Sequence, residues 1–185
     1  MKKIVCLWGG PGAGKSTTCS GLFKKFKILG LNVEMNREYI KDWVWEGREI
    51  IAGDQVYITA KQARKEVIYM RKNMDVIVTD SPLALTTFYG NIYDKYEREG
   101  AACKAIVKQH HMICKDLGYK VDHFFLLRTK PYNPVGRYQD ESTAKEYDAK
   151  ILNFLDEYPI NYKFISCDDK AEDDIVKQVM DTDDK

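Results

Sequence analysis

Short apolar runs alternate along this chain with longer amphipathic stretches. Ile4 to Trp8 is an unbroken apolar run with the length of a buried strand. From Thr17 to Leu29 the apolar residues Leu22, Phe23, Phe26 and Leu29 fall at helical spacing, and Gly30 supplies a stop. Leu31 to Met35 reads as a second strand that ends at Asn36-Arg37-Glu38-Tyr39, and Ile40 to Glu46 as a short helix carrying Trp43 and Trp45. A long amphipathic helix covers Asp54 to Asn73, with Lys61, Arg64, Lys65, Arg71 and Lys72 as its basic residues. Asp75 to Asp80 is a third strand, apolar enough for the middle of a parallel sheet. Ser81-Pro82 predicts the start of a helix, with Pro82 at its first position, running through Phe88, Tyr89, Tyr93 and Tyr96 to a stop at Gly100. Ala101 to Leu117 is the next helix, stopped by Gly118, and Val121 to Leu127 the fourth strand. Ser142 to about Glu157 is helical, with Glu146 supporting Lys150, and Asn161 to Ile165 is the fifth strand. Ala171 to Met180 forms a last helix, and Asp181 to Lys185 a frayed acidic tail.

Strands alternating with helices predict an α/β fold: a five-stranded parallel sheet with right-handed crossovers and helices on both faces, in a single domain over 1–180. In such sheets ligands bind beyond the carboxyl ends of the strands. Glu38, Asp80, Arg128 and Asp168 all fall there.

Between the first strand and the first helix lies Gly9-Gly10-Pro11-Gly12-Ala13-Gly14-Lys15-Ser16, which fits G-x-x-x-x-G-K-[ST] at every fixed position. The glycines permit backbone angles that a side chain forbids, and the freed N–H groups of Gly10, Gly12, Ala13, Gly14, Lys15, Ser16 and Thr17, with the positive end of the helix dipole, surround phosphate oxygens. Lys15 reaches the β- and γ-phosphates, and the Ser16 hydroxyl sits on Mg²⁺. The competing reading, a chance glycine-rich turn, leaves the strand-loop-helix context unexplained. A nucleoside triphosphate, with ATP as the default, and Mg²⁺ are therefore the expected cofactors.

Composition narrows the partners. At 185 residues, 44% hydrophobic and a formal charge of +1, the chain is neither disordered nor a strong polyanion binder overall. Cys6, Cys19, Cys103, Cys114 and Cys167 show no C-x-x-C spacing, so reduced thiols are expected rather than a disulfide framework or a zinc site. Lys2-Lys3 and the following apolar run resemble the start of a signal peptide but lead directly into the glycine loop, and no run reaches membrane-spanning length. These features predict a cytoplasmic protein with no membrane partner.

Asp80 closes an apolar strand, as the Walker-B carboxylate does, and would hold Mg²⁺ with Ser16; an N-cap for the helix near Pro82 is the alternative. Glu38 ends the second strand, where a carboxylate can face the P-loop and take a proton from an acceptor hydroxyl. Asp42, one helical turn on, competes for that role. The segment 128–141 has no clear period, contains two prolines and Gly136, and carries Arg128, Lys130 and Arg137, as a lid closing over the triphosphate would. An ordinary exposed loop is the alternative. Among Tyr39, Trp43, Trp45, Tyr89 and Tyr93, one or two ring positions, Tyr39 or Trp43 first, are expected to stack on an acceptor. His110-His111 reads as a solvated helix face, and Asp168-Asp169 as a loop near the purine.

The chain resembles the P-loop nucleoside and nucleotide kinases, closest to the NadR-like, ribosylnicotinamide-kinase type of domain also known among phage AAA-type ATPases. The resemblance rests on Gly9 to Thr17, Arg37-Glu38-Tyr39, Asp80-Ser81-Pro82 and Leu127 to Asp140 with Asn133-Pro134-Val135-Gly136-Arg137-Tyr138. It implies a P-loop NTPase fold, a kinase, and a lid arginine at Arg137. The opening is also similar to phage polynucleotide 5′-hydroxyl kinase, whose Asn-Arg-acid stretch matches Asn36-Arg37-Glu38 and implies Glu38 as the base. Relatives read Asp-Arg-Ser where this chain has Asp80-Ser81-Pro82, which leaves the acceptor open. The expected function is γ-phosphate transfer to a hydroxyl or phosphate of a nucleoside- or nucleotide-like acceptor. Its alternatives are a kinase acting on a 5′-hydroxyl end or a hydroxymethylated pyrimidine of phage-type DNA, and a regulatory P-loop ATPase.

Overall fold

The computed structural model describes residues 1–93, 98–129, 131–135, 139–158 and 160–181. Lys130, Gly136, Arg137, Tyr138, Tyr96 and the terminal residues 182–185 lie outside them. In chain order the elements are β1 (Lys3–Trp8), α1 (Lys15–Ile28), β2 (Val33–Asn36), α2 (Lys41–Trp45), α3 (Asp54–Arg71) and β3 (Val76–Thr79). They continue with α4 (Leu85–Tyr93), α5 (Arg98–Asp116), β4 (Lys120–Leu127), α6 (Glu141–Glu157), β5 (Tyr162–Ser166) and α7 (Ala171–Asp181). The strands form one five-stranded sheet in the order β2-β3-β1-β4-β5, and every pairing is parallel. No helix of the described residues is long and apolar enough to cross a membrane.

The strand period of two divides β1 between two cores. Ile4, Cys6 and Trp8 pack with Met70 of α3, Leu85 and Phe88 of α4, Cys114 of α5 and Ile151 of α6. Val5 and Leu7 face the other way, onto Leu22 and Phe26 of α1 and Ile175 and Val179 of α7. Burying a side chain such as Phe26 contributes about 1.5–3 kcal/mol. Both faces of β1 are therefore apolar, as its unbroken run requires. Lys3 is nonetheless buried, its charge matched by Asp122 of the neighbouring β4 at 3.0 Å. All the cysteines are free and buried.

This order places β1 between β3 and β4, so the loop leaving β1 opens at the point where the chain turns outward to either side. The exits of β3 and β4, carrying Asp80 and Arg128, flank it.

The helix expected from Pro82 begins at Leu85. Residues 82–87 first form tight turns, with Leu85 N–H on the Pro82 carbonyl at 2.8 Å and Thr86 N–H on that of Leu83 at 3.1 Å. Gly100 does not stop a helix; it lies within α5. A Cβ on Gly90 would sit 2.9 Å from Gly100 Cα, and one on Gly100 would sit 1.5 Å from Asn91 Oδ1. These glycines are there because α4 and α5 cross closely. His110 is likewise not solvated: it is buried in α5 with Nε2 3.0 Å from Glu66 Oε2 of α3.

Candidate active site

The P-loop turns on three positive φ angles, 138° at Gly9, 80° at Gly12 and 93° at Gly14, which residues with a Cβ rarely adopt. Gly14 is constrained a second time, since a Cβ there would lie 2.3 Å from the Cys167 sulfur beneath the loop. Helix α1 starts from Gly14 with no side-chain cap and no acid in its first turn, so its positive end is not neutralised by its own sequence. Lys15 folds back over the loop and donates to the carbonyls of Gly9 at 2.6 Å and Gly10 at 2.9 Å.

Arg128, leaving β4, lies against this loop. Its Nε donates to Asp148 Oδ2 of α6, and its Nη2 to the Ala144 carbonyl at 3.2 Å. The same Asp148 accepts the Gly10 N–H on Oδ1 at 2.5 Å. Gly10, whose amide is expected from the motif to face phosphate, donates it to the Asp148 carboxylate in this structure. Its role is steric: a Cβ on Gly10 would sit 2.7 Å from the Ala144 carbonyl oxygen. Gly12 is covered by the Tyr132 ring, 2.8 Å from where its Cβ would be, and by Arg128 Nη1 at 3.1 Å.

On the β3 side Asp80 is 2% exposed. Its Oδ1 accepts the Glu38 N–H at 2.8 Å, tying the β3 exit to the β2 exit. Burial first, and then the Asp80 carboxylate, push the Cys19 thiol up, while Arg37 opposes them. Of the two candidate bases, Glu38 lines the cleft together with Lys15, Ser16 and Thr17. Asp42 is exposed and does not.

From Glu38 the cleft continues past Ile40, Lys41, Val44 and Ile50 to Gln55, Ile58 and Gln62 of α3, then Ser81, Thr86 and Tyr89. Tyr39 and Trp43, the rings expected first in the pocket, are not among its lining. They instead form a cluster with Tyr57 beside it, in which Trp43 stacks on Tyr57 at 6.2 Å and Arg48 sits 3.6 Å from the Trp43 ring centre. Tyr89, also of the expected set, lines the cleft. Asp168 caps its own turn, accepting Lys170 N–H at 2.8 Å, and lies outside the lining. Arg137 falls outside the described residues.

Behind the α3 side of the cleft runs a buried polar chain. Asn36 Nδ2 donates to Glu66 Oε1 at 2.9 Å, and Glu66 meets His110, whose Nδ1 is 3.5 Å from Cys114 Sγ. Burial alone would lower the His110 pKa; its contacts with Cys114 and the Glu66 carboxylate outweigh that and raise it to about 10. The chain fixes the end of β2, and so the start of the segment that carries Glu38.

Asp148, Gln55, Gln62 and Tyr132 were not found from the sequence. For α3 a signal existed: Gln55, Thr59, Gln62 and Glu66 occupy the buried face of an amphipathic helix, where apolar residues belong. Nothing local marks Asp148.

A search of curated proteins found no match. Among solved structures the chain is similar to NadR, solved in complex with NR, with a TM-score of 0.60 and 15% identity over 91% of this chain and 46% of that one. It thus spans less than half of the NadR chain. A second similar structure is a mutant of the APS kinase CysC of Mycobacterium tuberculosis, with a TM-score of 0.42 and 14% identity over 84% of this chain and 98% of that one. The sequence profile of the family described as AAA domain matches residues 4–172. A profile that takes in all five strands and the P-loop places the chain in the AAA domain family of P-loop NTPases.

Proposed function

We propose that this chain is an ATP- and Mg²⁺-dependent kinase that transfers the γ-phosphate to a hydroxyl or phosphate of a nucleoside- or nucleotide-like acceptor. The observation that carries this reading is a single cleft in which Glu38 lies with P-loop residues Lys15, Ser16 and Thr17 and which continues into a half-polar pocket. In-line transfer needs that order: phosphate cradle, base, acceptor. NadR, a protein of similar fold solved in complex with NR, supports a small acceptor.

In this reading the backbone of Gly12 to Thr17 cradles the β- and γ-phosphates, with Lys15 neutralising charge as it builds up. Glu38 takes the acceptor proton as the new oxygen–phosphorus bond forms and the bond to the β-phosphate oxygen breaks, so that ADP leaves. Arg128 flanks the nucleotide, and Arg137 neutralises the transferring group. Ser16 and Asp80 would hold Mg²⁺. The fit is that of a hydroxyl and a buried carboxylate, hard oxygen donors for an ion that binds through one or two carboxylates and substrate phosphates. No group of three or more His, Cys, Asp or Glu among the described residues forms a protein cage for a metal. Bound there, Mg²⁺ supplies charge neutralisation on the triphosphate.

The test is a labelled γ-phosphate transfer screen over nucleosides, nucleoside monophosphates, 5′-hydroxyl oligonucleotides and hydroxymethylpyrimidine DNA, with Lys15→Ala as the blank. Label on a small acceptor supports the reading, and free phosphate alone in every tube overturns it. A nucleic-acid acceptor is the second reading, favoured by the exposed face of α3, where Lys61, Arg64, Lys65, Arg71 and Lys72 lie in solvent. Affinity that falls steeply with salt would mark it.

A further inference from the structure

We infer that the inner end of the cleft is a specificity subsite in which the Gln62 carboxamide, with Gln55 beside it, holds a neutral, planar, amino-bearing group of the acceptor. This rests on the reading of the cleft as the acceptor site and names what it selects.

Gln62 lines the cleft yet is only 2% exposed. Its Nε2 donates to the Ser81 carbonyl at 3.4 Å, and its backbone carbonyl accepts from Asn36 Nδ2 at 3.5 Å. The Ser81 carbonyl also accepts the Thr79 hydroxyl at 3.1 Å. Turning the amide over would set oxygen against oxygen, so Oε1 is the atom left over. That Oε1 is buried and has no partner among the described residues. Buried polar side-chain atoms are hydrogen-bonded as a rule, so an acceptor lacking a donor in a ligand cleft points to a donor on the ligand.

Gln55 repeats the pattern two turns earlier on the same helix, about 10 Å away along its axis. It is 3% exposed. Its backbone is pinned by Glu99 of α5, whose Oε2 accepts the Gln55 N–H at 3.3 Å and whose Oε1 accepts the Gly53 N–H at 2.7 Å. Its side-chain amide makes no hydrogen bond with the described residues. Ile58 stands between the two amides and, with Ile40, Val44 and Ile50, provides apolar walls for a flat ring. The inner lining of Gln55, Ile58, Gln62, Ser81, Thr86 and Tyr89 carries no charge; the cations of the lining, Lys15 and Lys41, come from the P-loop and the segment after β2. A neutral group with an N–H edge fits this surface, and an anion does not.

The experiment pairs amino and keto ligands of the same shape: adenosine against inosine and cytidine against uridine, each titrated calorimetrically into the full chain with Mg²⁺ and a non-hydrolysable ATP analogue. The amino partner is expected to bind about tenfold more tightly or better, since its rival sets a carbonyl oxygen against Oε1 where the amino group would donate. Gln62→Leu should bring that ratio to about one while leaving the keto affinity within about threefold. Should Gln62→Leu not fold, Gln62→Glu, which keeps an acceptor of the same shape, should retain the amino preference. Equal binding of both partners, a ratio unchanged in Gln62→Leu, a Gln62→Glu protein without the preference, or no binding by any of the four would overturn the subsite. Transfer is read separately with ATP: tight amino binding without label transfer keeps the subsite and overturns the kinase reading, and equal transfer to both partners does the reverse.

Discussion

The two ends of the cleft are built by different means. The end that the proposed function gives to phosphate is one continuous stretch, Gly9 to Thr17, set by its backbone angles and pressed on by Arg128, Asp148 and Cys167. The end that it gives to the acceptor is assembled from side chains of β2's exit, α2, α3, the β3 exit and α4, held by a buried polar chain. A backbone cradle tolerates little change and serves any triphosphate. A side-chain pocket can be altered position by position, so selectivity belongs there.

If that division is right, substitutions at one end should leave the other end's ligand untouched. The largest effect is expected from Gly14→Ala. The φ of 93° and the 2.3 Å approach to the Cys167 sulfur leave no room for a methyl, and ATP affinity should fall by about 100-fold or more, roughly 3 kcal/mol. Titration with a fluorescent ATP analogue measures it. An affinity within a few-fold of the parent would show that the loop is not held as described. Asp148→Asn comes next. Weakening the charged contact to Arg128 and Gly10 should raise the ATP KM about tenfold while the acceptor KM stays within about twofold. A shift of the acceptor KM instead would place α6 at the wrong end.

Smaller effects test the frame. Gly100→Ala forces α4 from α5 and should cost about 1–3 kcal/mol in denaturant unfolding, with both KM values unchanged. Last is a pH effect of which only the direction is expected. The His110 pKa is raised to about 10 in the fold, so its contribution is complete below the unfolded value of about 6.5 and is lost as pH rises toward 10. Burial lowers the His123 pKa to about 4, against a smaller opposing effect of Asp122. The unfolded chain therefore binds that proton first, and stability is lost as pH falls from about 6.5 toward 4. Unfolding free energy should thus be greatest near pH 6.5. In His110→Asn its decline above that pH should flatten, and a decline as steep as the parent's would remove the Glu66 pair from the account.

The same division explains what could be read from the sequence. The sheet, its parallel order and the P-loop were legible, because strand runs and glycine spacing are local signals. Glu38 and Asp80 could be placed at strand ends for the same reason. Helix boundaries at Pro82 and Gly100 misled: the proline begins a run of turns, and the glycine serves a helix crossing that no local rule reveals. Tyr39 and Trp43 were chosen over Tyr89 because aromatic spacing alone does not say which face meets the cleft. Gln55, Gln62 and Asp148 act through contacts with residues far along the chain, so only the fold brings them into view. His110 was misjudged similarly, since its partner Glu66 sits on another helix.

The most direct test of the central claim is Glu38→Gln, assayed for ATP affinity and for γ-phosphate transfer to the best acceptor. The account predicts ATP binding within about twofold of the parent and transfer reduced by about 100-fold or more, the contribution of a general base. Transfer that survives with little loss would remove Glu38 from the chemistry and the acceptor from the place assigned to it.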